Sequence, residues 1–276
     1  MKGRPLFALT LAITLIALTL MRASLTVAAQ LEEIKSRGQL IVAVKDNLRP
    51  LGFIDQKGNL VGLEIDLAHR LAQEILGDAN AVKLQPVSNQ NRLKVILDDQ
   101  VDLVIARVSD TAARRRIVDL SPYYYLDGTG LISKKRLPKV AVKRSLNPIQ
   151  QLQQATIALL NNSATIAVIK SKLPNANLIG VDSYQEGLEL LEQNQADAFA
   201  ADLTVLTGWS QEYPQYKLLP VRLSGEALCI VMPKGLQYQE LRQKVQDAIA
   251  AWQESGWLQE RINYWGLPES NQPMRK

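Results

Sequence analysis

The sequence contains only one cysteine and one histidine, and aromatic residues make up only 5% of it. A lone cysteine, Cys229, cannot form a disulfide within the chain, and one thiol with one imidazole is too small a set for a zinc site. The histidine, His69, falls within an amphipathic helical pattern, which argues against a Cys–His or Ser–His catalytic pair. Cys229 lies in the apolar run of residues 227–231, where we expect a buried core side chain. We therefore predict no metal, no cofactor and no catalytic nucleophile.

The sequence also lacks a strong excess of one charge. Its formal net charge is +5, and residues 1–29 contribute three of the 32 basic residues and none of the 27 acidic ones. The remaining chain is nearly balanced, which gives no electrostatic reason to expect nucleic-acid binding. A hydrophobic content of 47% is typical of a globular chain with a full core, and 276 residues predict about two domains.

A long hydrophobic run occurs once, at the N-terminus. A basic start precedes an apolar stretch from Pro5 to Met21, and the small residues Val27-Ala28-Ala29 precede Gln30. This order is typical of a secretory signal peptide, so we predict a signal peptide at residues 1–29 and a periplasmic or otherwise extracytoplasmic protein. The apolar stretch of about 17 residues also suits a retained membrane anchor, which is the alternative.

Beyond residue 30, short apolar strands alternate with amphipathic helices. The strands are predicted at residues 40–44, 82–87, 101–106, 156–160, 177–181, 196–201 and 227–231. The helices are predicted at residues 31–37, 65–76, 91–97, 165–172, 183–193, 203–211 and 241–252. Such alternation predicts α/β structure with mostly parallel sheets covered by helices on both faces. The pattern restarts after the glycine-rich segment 127–130, which indicates two similar blocks.

Several short motifs follow one another in a specific order. They are residues 38–44 with Pro50, residues 62–68, Val101-Asp102-Leu103, Arg114 with residues 121–124, Ala196-Asp197-Ala198, and Tyr264-Trp265-Gly266. In this order and spacing the chain resembles the extracytoplasmic amino-acid-binding proteins of ABC importers, known as family 3 solute-binding proteins. The resemblance extends from about Leu31 to Gly266, which is nearly the whole chain after the predicted signal peptide.

The resemblance implies a two-lobed periplasmic-binding-protein fold of type II, with a mostly parallel, helix-flanked sheet in each lobe. It predicts lobe 1 at residues 30–126 and 226–268, lobe 2 at residues 130–224, and a flexible tail at residues 269–276. Two hinge crossings, at residues 127–130 and 224–227, contain glycines that suit changes in backbone angle as the lobes close. The implied function is to bind a free amino acid and deliver it to the membrane subunits of an ABC importer, as a monomer and not as an enzyme.

A free amino acid carries a carboxylate and an ammonium, and each needs charged partners once it is buried. By the resemblance, Arg114 binds the carboxylate with two parallel hydrogen bonds, assisted by Ser109. Asp202 binds the ammonium. From the residues alone, Arg114 also suits a solvated basic run with its neighbours Arg115 and Arg116, and Asp202 also suits the N-cap of the following helix.

Further site residues follow from the same resemblance. On the second lobe, Ser163 and Thr165 lie at a helix start whose amides favour an anion, although Asn162 stands where relatives commonly have glycine. The remaining site residues are predicted on the first lobe: Lys45, Leu48, Arg92 and Arg107. Leu48 offers apolar contact only, and the three cations favour an acidic or polar amino acid such as glutamate, aspartate or glutamine. Each cation also suits a solvent-facing position.

Two other functions remain open at this point. A periplasmic dehydratase of cyclic, prephenate-like acids uses a similar scaffold and needs a general acid in its cleft. No carboxylate in this sequence stands out beyond those of the receptor pattern. A ligand sensor that signals through a membrane partner would keep the N-terminal segment as its anchor. We favour the solute receptor.

Overall fold

The computed structural model describes residues 30–134, 148–161 and 163–269. The predicted signal peptide lies outside the described residues, as does the predicted tail after Glu269. Within the described ranges, no helix is both long enough and apolar enough to cross a membrane.

The strands are numbered in chain order. They are β1 (Leu40–Val44), β2 (Asn47–Leu48), β3 (Gly52–Ile54), β4 (Leu60–Val61), β5 (Val82–Pro86), β6 (Leu103–Ser109), β7 (Asp119–Asp127), β8 (Thr129–Ser133), β9 (Thr156–Leu160), β10 (Asn177–Val181), β11 (Ala198–Asp202), β12 (Lys217–Leu218) and β13 (Glu226–Met232). The helices are α1 (Leu31–Arg37), α2 (Leu63–Leu76), α3 (Lys94–Leu97), α4 (Ala112–Ile117), α5 (Pro148–Gln151), α6 (Thr165–Lys172), α7 (Tyr184–Glu192), α8 (Leu203–Glu212), α9 (Gln239–Glu254) and α10 (Trp257–Tyr264), with a 3-10 turn at Leu236–Tyr238.

Two five-stranded sheets form the framework, in the strand orders β5-β1-β6-β13-β7 and β10-β9-β11-β8-β12. In the first sheet β13 runs antiparallel to both of its neighbours, and in the second sheet β8 does the same. The other four strands of each sheet share one direction, which confirms the predicted mostly parallel sheets of a two-lobed α/β fold. A small antiparallel sheet, β2-β3-β4, adjoins the first.

Each sheet has a buried apolar cluster on both of its faces. In β1, Leu40, Val42 and Val44 join one apolar cluster, while Ile41 and Ala43 join the cluster on the opposite face. A strand buried on both faces is apolar throughout instead of alternating, which is the pattern its sequence showed. Helices α2 and α9 pack on the first sheet, and α6, α7 and α8 pack on the second. The five predicted apolar positions of α9 are all buried.

The two connections between the sheets lie side by side. β7 continues through Gly128 into β8, and the returning chain pairs Glu226 with Asp127. The amide of Thr129 donates to the hydroxyl of Ser224 at 2.9 Å. A Cβ at position 128 would clash with the carbonyl oxygen of Ser224, so the close approach of the two segments requires glycine there. Gly128 does not have a positive φ in this structure, so the close packing of the two segments is what requires glycine here, and the predicted hinge role stays a prediction.

Several elements differ from the sequence prediction. The helix predicted at residues 91–97 is reduced to the single turn α3, preceded by turns. The segment 127–130, predicted as a break, lies almost entirely in β7 and β8. Strands β2 to β4, β7, β8 and β12 and helices α4, α5 and α10 were not predicted, and most of them are too short to show a hydrophobic period. Cys229 is buried in β13, as predicted.

Candidate functional site

A cavity of about 450 Å³ lies between the two lobes. The first lobe contributes Arg107 and residues of the loops that follow β1 and β5, and the second lobe contributes residues of α7 and α8. The lining consists of Lys45, Asn47, Leu48, Arg49, Ser88, Asn89, Gln90, Arg107, Tyr184, Val205, Gly208, Trp209 and Glu212. Loops at the carboxyl ends of strands are where α/β sheets bind ligands, and this volume suits a small molecule.

Helix α8 brings the second lobe against the first. The guanidinium of Arg49 lies 3.5 Å from the carboxylate of Glu212, and the amide of Gln211 donates to the carbonyl of Trp265 at 2.7 Å. A Cβ at position 208 would clash with the carbonyl oxygen of Arg49. Gly208 therefore lets this helix approach the first lobe closely at the edge of the cavity.

Arg107 crosses the space between the lobes. It has a φ of 50°, which is uncommon for a bulky residue. Its guanidinium forms an ion pair with Asp202, lies 3.4 Å from Asp127 and donates to the hydroxyl of Thr204 at 3.2 Å. Burial opposes the charged form, but the attraction of Asp202 and Asp127 outweighs it and raises the pKa of Arg107. Arg107 is thus a fully charged link from the first sheet to the second.

Asp202 stands at the N-cap position of α8, but its side chain does not cap the helix. Asp127 does so instead, since its carboxylate accepts from the amide of Thr204 at 3.1 Å and from the hydroxyl of Thr204 at 2.6 Å. The suggested capping role of the Asp202 side chain is therefore wrong, because that carboxylate is engaged by Arg107. Burial raises the pKa of Asp202, although Arg107 counteracts the rise.

Arg114 differs from its basic neighbours Arg115 and Arg116 in exposure and in hydrogen bonding. It lies on α4, and its Nη1 donates to the carbonyl and to the hydroxyl of Ser109, both at 2.6 Å. Its Nε and Nη2 have no hydrogen-bond partner within the part of the chain that the structure describes. Arg115 is 54% exposed and pairs with Asp110, and Arg116 is exposed. Arg114 and Ser109 are not part of the cavity wall.

The other predicted cations are held by backbone carbonyls. Lys45 is only 4% exposed, so the solvent-facing alternative is wrong for this residue. It donates to the carbonyl of Val87 at 2.8 Å, and burial lowers its pKa. Arg92 donates to the carbonyls of Ala106 and Arg107. Burial, followed by repulsion from Arg114 and Arg107, lowers the pKa of Arg92 to about 10. Of these two cations, only Lys45 lines the cavity.

The predicted second-lobe anion site is not part of the cavity wall. The hydroxyl of Ser163 accepts from the amide of Thr165 at 3.1 Å, and Thr165 is buried. Asn162 lies outside the described residues. Sequence reasoning instead missed Tyr184, which follows the predicted capping residue Ser183 at the end of β10. An aromatic residue at the carboxyl end of a strand was the available signal for this position.

Glu64 is a fully buried carboxyl group beside the backbone of Arg107. Its Oε1 accepts from the hydroxyl of Tyr124 and from the amide of Arg107. Its Oε2 has no hydrogen-bond partner among the described residues. Burial raises the pKa of Glu64 to about 7, although Tyr124 and Arg107 counteract the rise.

We expect this carboxyl group to make stability depend on pH. Its pKa rises from 4.5 to about 7 on folding, so the folded state holds a proton that the unfolded state has lost between these values. The contribution is complete below pH 4.5, decreases as the pH rises towards 7 and is absent above it, a total change of about 3 kcal/mol. Glu64→Gln cannot ionise and should lack this decrease. Urea unfolding of both proteins at pH 5, 6, 7 and 8 measures how the free energy of unfolding changes with pH. If that free energy decreases equally with pH in the wild type and in Glu64→Gln, Glu64 is not the titrating group.

A cavity enclosed by two α/β lobes suits the binding of a small molecule. The chain belongs to the bacterial extracellular solute-binding proteins, family 3, whose family profile matches residues 40–268. A glutamine-binding protein of Geobacillus stearothermophilus is 31% identical over 198 residues, covering 71% of this chain and 73% of the relative. The ABC transporter glutamine-binding protein of Bacillus subtilis is 26% identical over 207 residues, covering 74% and 73%. An ancestral cationic amino acid solute-binding protein shares the fold, with a TM-score of 0.70, 23% identity, and coverage of 85% of this chain and 98% of that one.

Proposed function

We propose that the protein captures a free amino acid outside the cytoplasmic membrane and delivers it to the membrane subunits of an ABC importer. The observation that carries this proposal is the cavity of about 450 Å³ with walls from both lobes. We assign lobe 1 to residues 30–126 and 226–268 and lobe 2 to residues 130–224. The glutamine-binding relatives support an amino-acid ligand. The protein acts after export, as a monomer and without a cofactor.

We assign the ligand's carboxylate to Arg114. Two of its guanidinium nitrogens lack partners within the described ranges, and its third is held by Ser109. The ligand's ammonium is assigned to Asp202, which lies at the start of α8 and pairs with Arg107 of the cavity wall. We also propose that Ser163 and Thr165 add polar groups to the carboxylate from the second lobe, although neither residue lines the cavity in this structure. The ligand's carboxylate then contacts an arginine and its ammonium contacts an aspartate on a different element, which fixes the orientation of the ligand.

The lining of the cavity supports a ligand with an acidic or polar side chain. Its cations are Lys45, Arg49 and Arg107, and its one described carboxylate is that of Glu212, which already faces Arg49. Leu48 adds an apolar contact. Glutamate, aspartate and glutamine are therefore the ligands that we propose first.

A thermal-shift screen against the twenty amino acids tests the proposal. A ligand that binds only the folded state, present at a hundred times its Kd, stabilises the protein by about 2.7 kcal/mol and raises its Tm. We expect glutamate, aspartate or glutamine to give the largest rise, and their D-enantiomers serve as controls. If none of the twenty amino acids raises the Tm, the proposal is refuted. Incubation with prephenate or arogenate, followed by absorbance of an aromatic product, tests the dehydratase alternative, and we expect no product.

A further inference from the structure

Arg107 already holds the carboxylate that we assign to the ligand's ammonium. Its guanidinium pairs with Asp202, lies 3.4 Å from Asp127 and donates to Thr204. The carboxylate of Glu212, on the cavity wall, faces Arg49 at 3.5 Å. An ammonium that enters the cavity therefore meets carboxylates that arginines have already engaged.

Releasing Asp202 is unfavourable unless another anion takes its place, because Arg107 then keeps, of the ion pairs that the structure describes, only the more distant carboxylate of Asp127. The side chain of Arg107 is only 17% exposed, so water cannot fully replace the lost partner. A neutral amino acid brings one carboxylate, which we assign to Arg114. An acidic amino acid brings a second carboxylate on its side chain. Because Arg107 lines the cavity, its guanidinium is placed to meet that second carboxylate.

We propose that binding proceeds by an ion-pair exchange, in which the ligand's ammonium takes Asp202 and Arg107 turns to the ligand's side-chain carboxylate. Every charge then stays paired for an acidic amino acid, whereas the corresponding amide leaves Arg107 with Asp127 as its one remaining anion among the described residues. Arg107 thus determines specificity for the acid over the amide of the same shape. This inference rests on the proposed function, since it assumes a free amino acid in the cavity.

The backbone conformation at position 107 allows a variant that lacks the guanidinium and keeps the fold. A φ of 50° is readily adopted by glycine, so Arg107→Gly removes the guanidinium without a backbone conflict. The amide of residue 107, which donates to Glu64 at 2.7 Å, is kept. Arg107→Asn also tolerates this φ and serves as a second variant if the glycine variant does not fold. Arg115→Gln is the matched control, because it removes one exposed positive charge from the same lobe.

The test is calorimetry of each protein with glutamate and glutamine, and with aspartate and asparagine. One of glutamate and aspartate will bind more tightly than the other. We expect the wild type and Arg115→Gln to bind that acid at least about tenfold more tightly than its amide. In Arg107→Gly we expect the amide to bind at least about tenfold more tightly than in the wild type, so that the preference disappears.

Two results would overturn the exchange. One is a wild type that prefers the amide, and the other is an acid-to-amide ratio that is the same in the wild type and in the Arg107 variants. Both leave the proposed function standing, because an amino acid is bound. A wild type that binds none of the twenty amino acids overturns the proposed function and the exchange together, so the two failures are distinguishable.

Discussion

Replacing Arg114 with alanine is expected to weaken amino-acid binding at least about tenfold and to leave folding intact. Each charge-assisted hydrogen bond to the ligand's carboxylate is worth roughly 1.5–3 kcal/mol, and a guanidinium makes two. The only hydrogen bonds that the Arg114 side chain makes within the described ranges go to Ser109, one residue before the loop that leads into α4. Alanine is a good helix former, so α4 should persist.

Calorimetry with the amino acid that raises the Tm most gives the affinity, and urea unfolding gives the stability. Arg116→Ala is the matched control, since Arg116 lies on the same helix and is exposed. An unchanged affinity in Arg114→Ala would refute the assignment of the carboxylate to this residue. The cations on the cavity wall, Lys45, Arg49 and Arg107, would then be the candidates.

Introducing a side chain at Gly208 is expected to prevent the lobes from approaching each other and to weaken binding at least about tenfold. Even a Cβ at this position would clash with the carbonyl oxygen of Arg49 in the other lobe. Backbone atoms cannot turn aside as a flexible side chain can, so Gly208→Val must hold α8 away from the first lobe. The ion pair of Arg49 with Glu212 and the hydrogen bond from Gln211 to Trp265 should be lost with it.

Small-angle scattering with saturating ligand measures the closure, and calorimetry measures the affinity. The wild type should become more compact with ligand, whereas Gly208→Val should not. Ser210→Val places the same branched side chain on α8, at a residue whose hydroxyl donates, among the described residues, only to the carbonyl of Thr207 in its own helix. Equal compaction and equal affinity in Gly208→Val and Ser210→Val would show that binding does not require this contact.

The elements that the sequence predicted best are those whose hydrophobic pattern lies within the element itself. The uniformly apolar residues of β1 and the helical period of α9 both describe burial against neighbouring elements, and both are confirmed. The capping serine of α7 is also confirmed, since Ser183 accepts from the amide of Glu186 at 3.1 Å. Helix α3 was predicted too long, because an apolar period shows where a helix is possible and not where turns replace it.

The sequence by itself determined the seven strands β1, β5, β6, β9, β10, β11 and β13, the main helices, the family resemblance and the excess of cations near the predicted cleft. Only the tertiary structure decided which charges meet. Arg107 pairs with Asp202, 95 positions later in the chain, while Asp127 caps the helix that Asp202 precedes. Backbone preferences and hydrophobic periods act between near neighbours, whereas the partner of a buried charge is whichever group the packing of two lobes brings within a few ångströms.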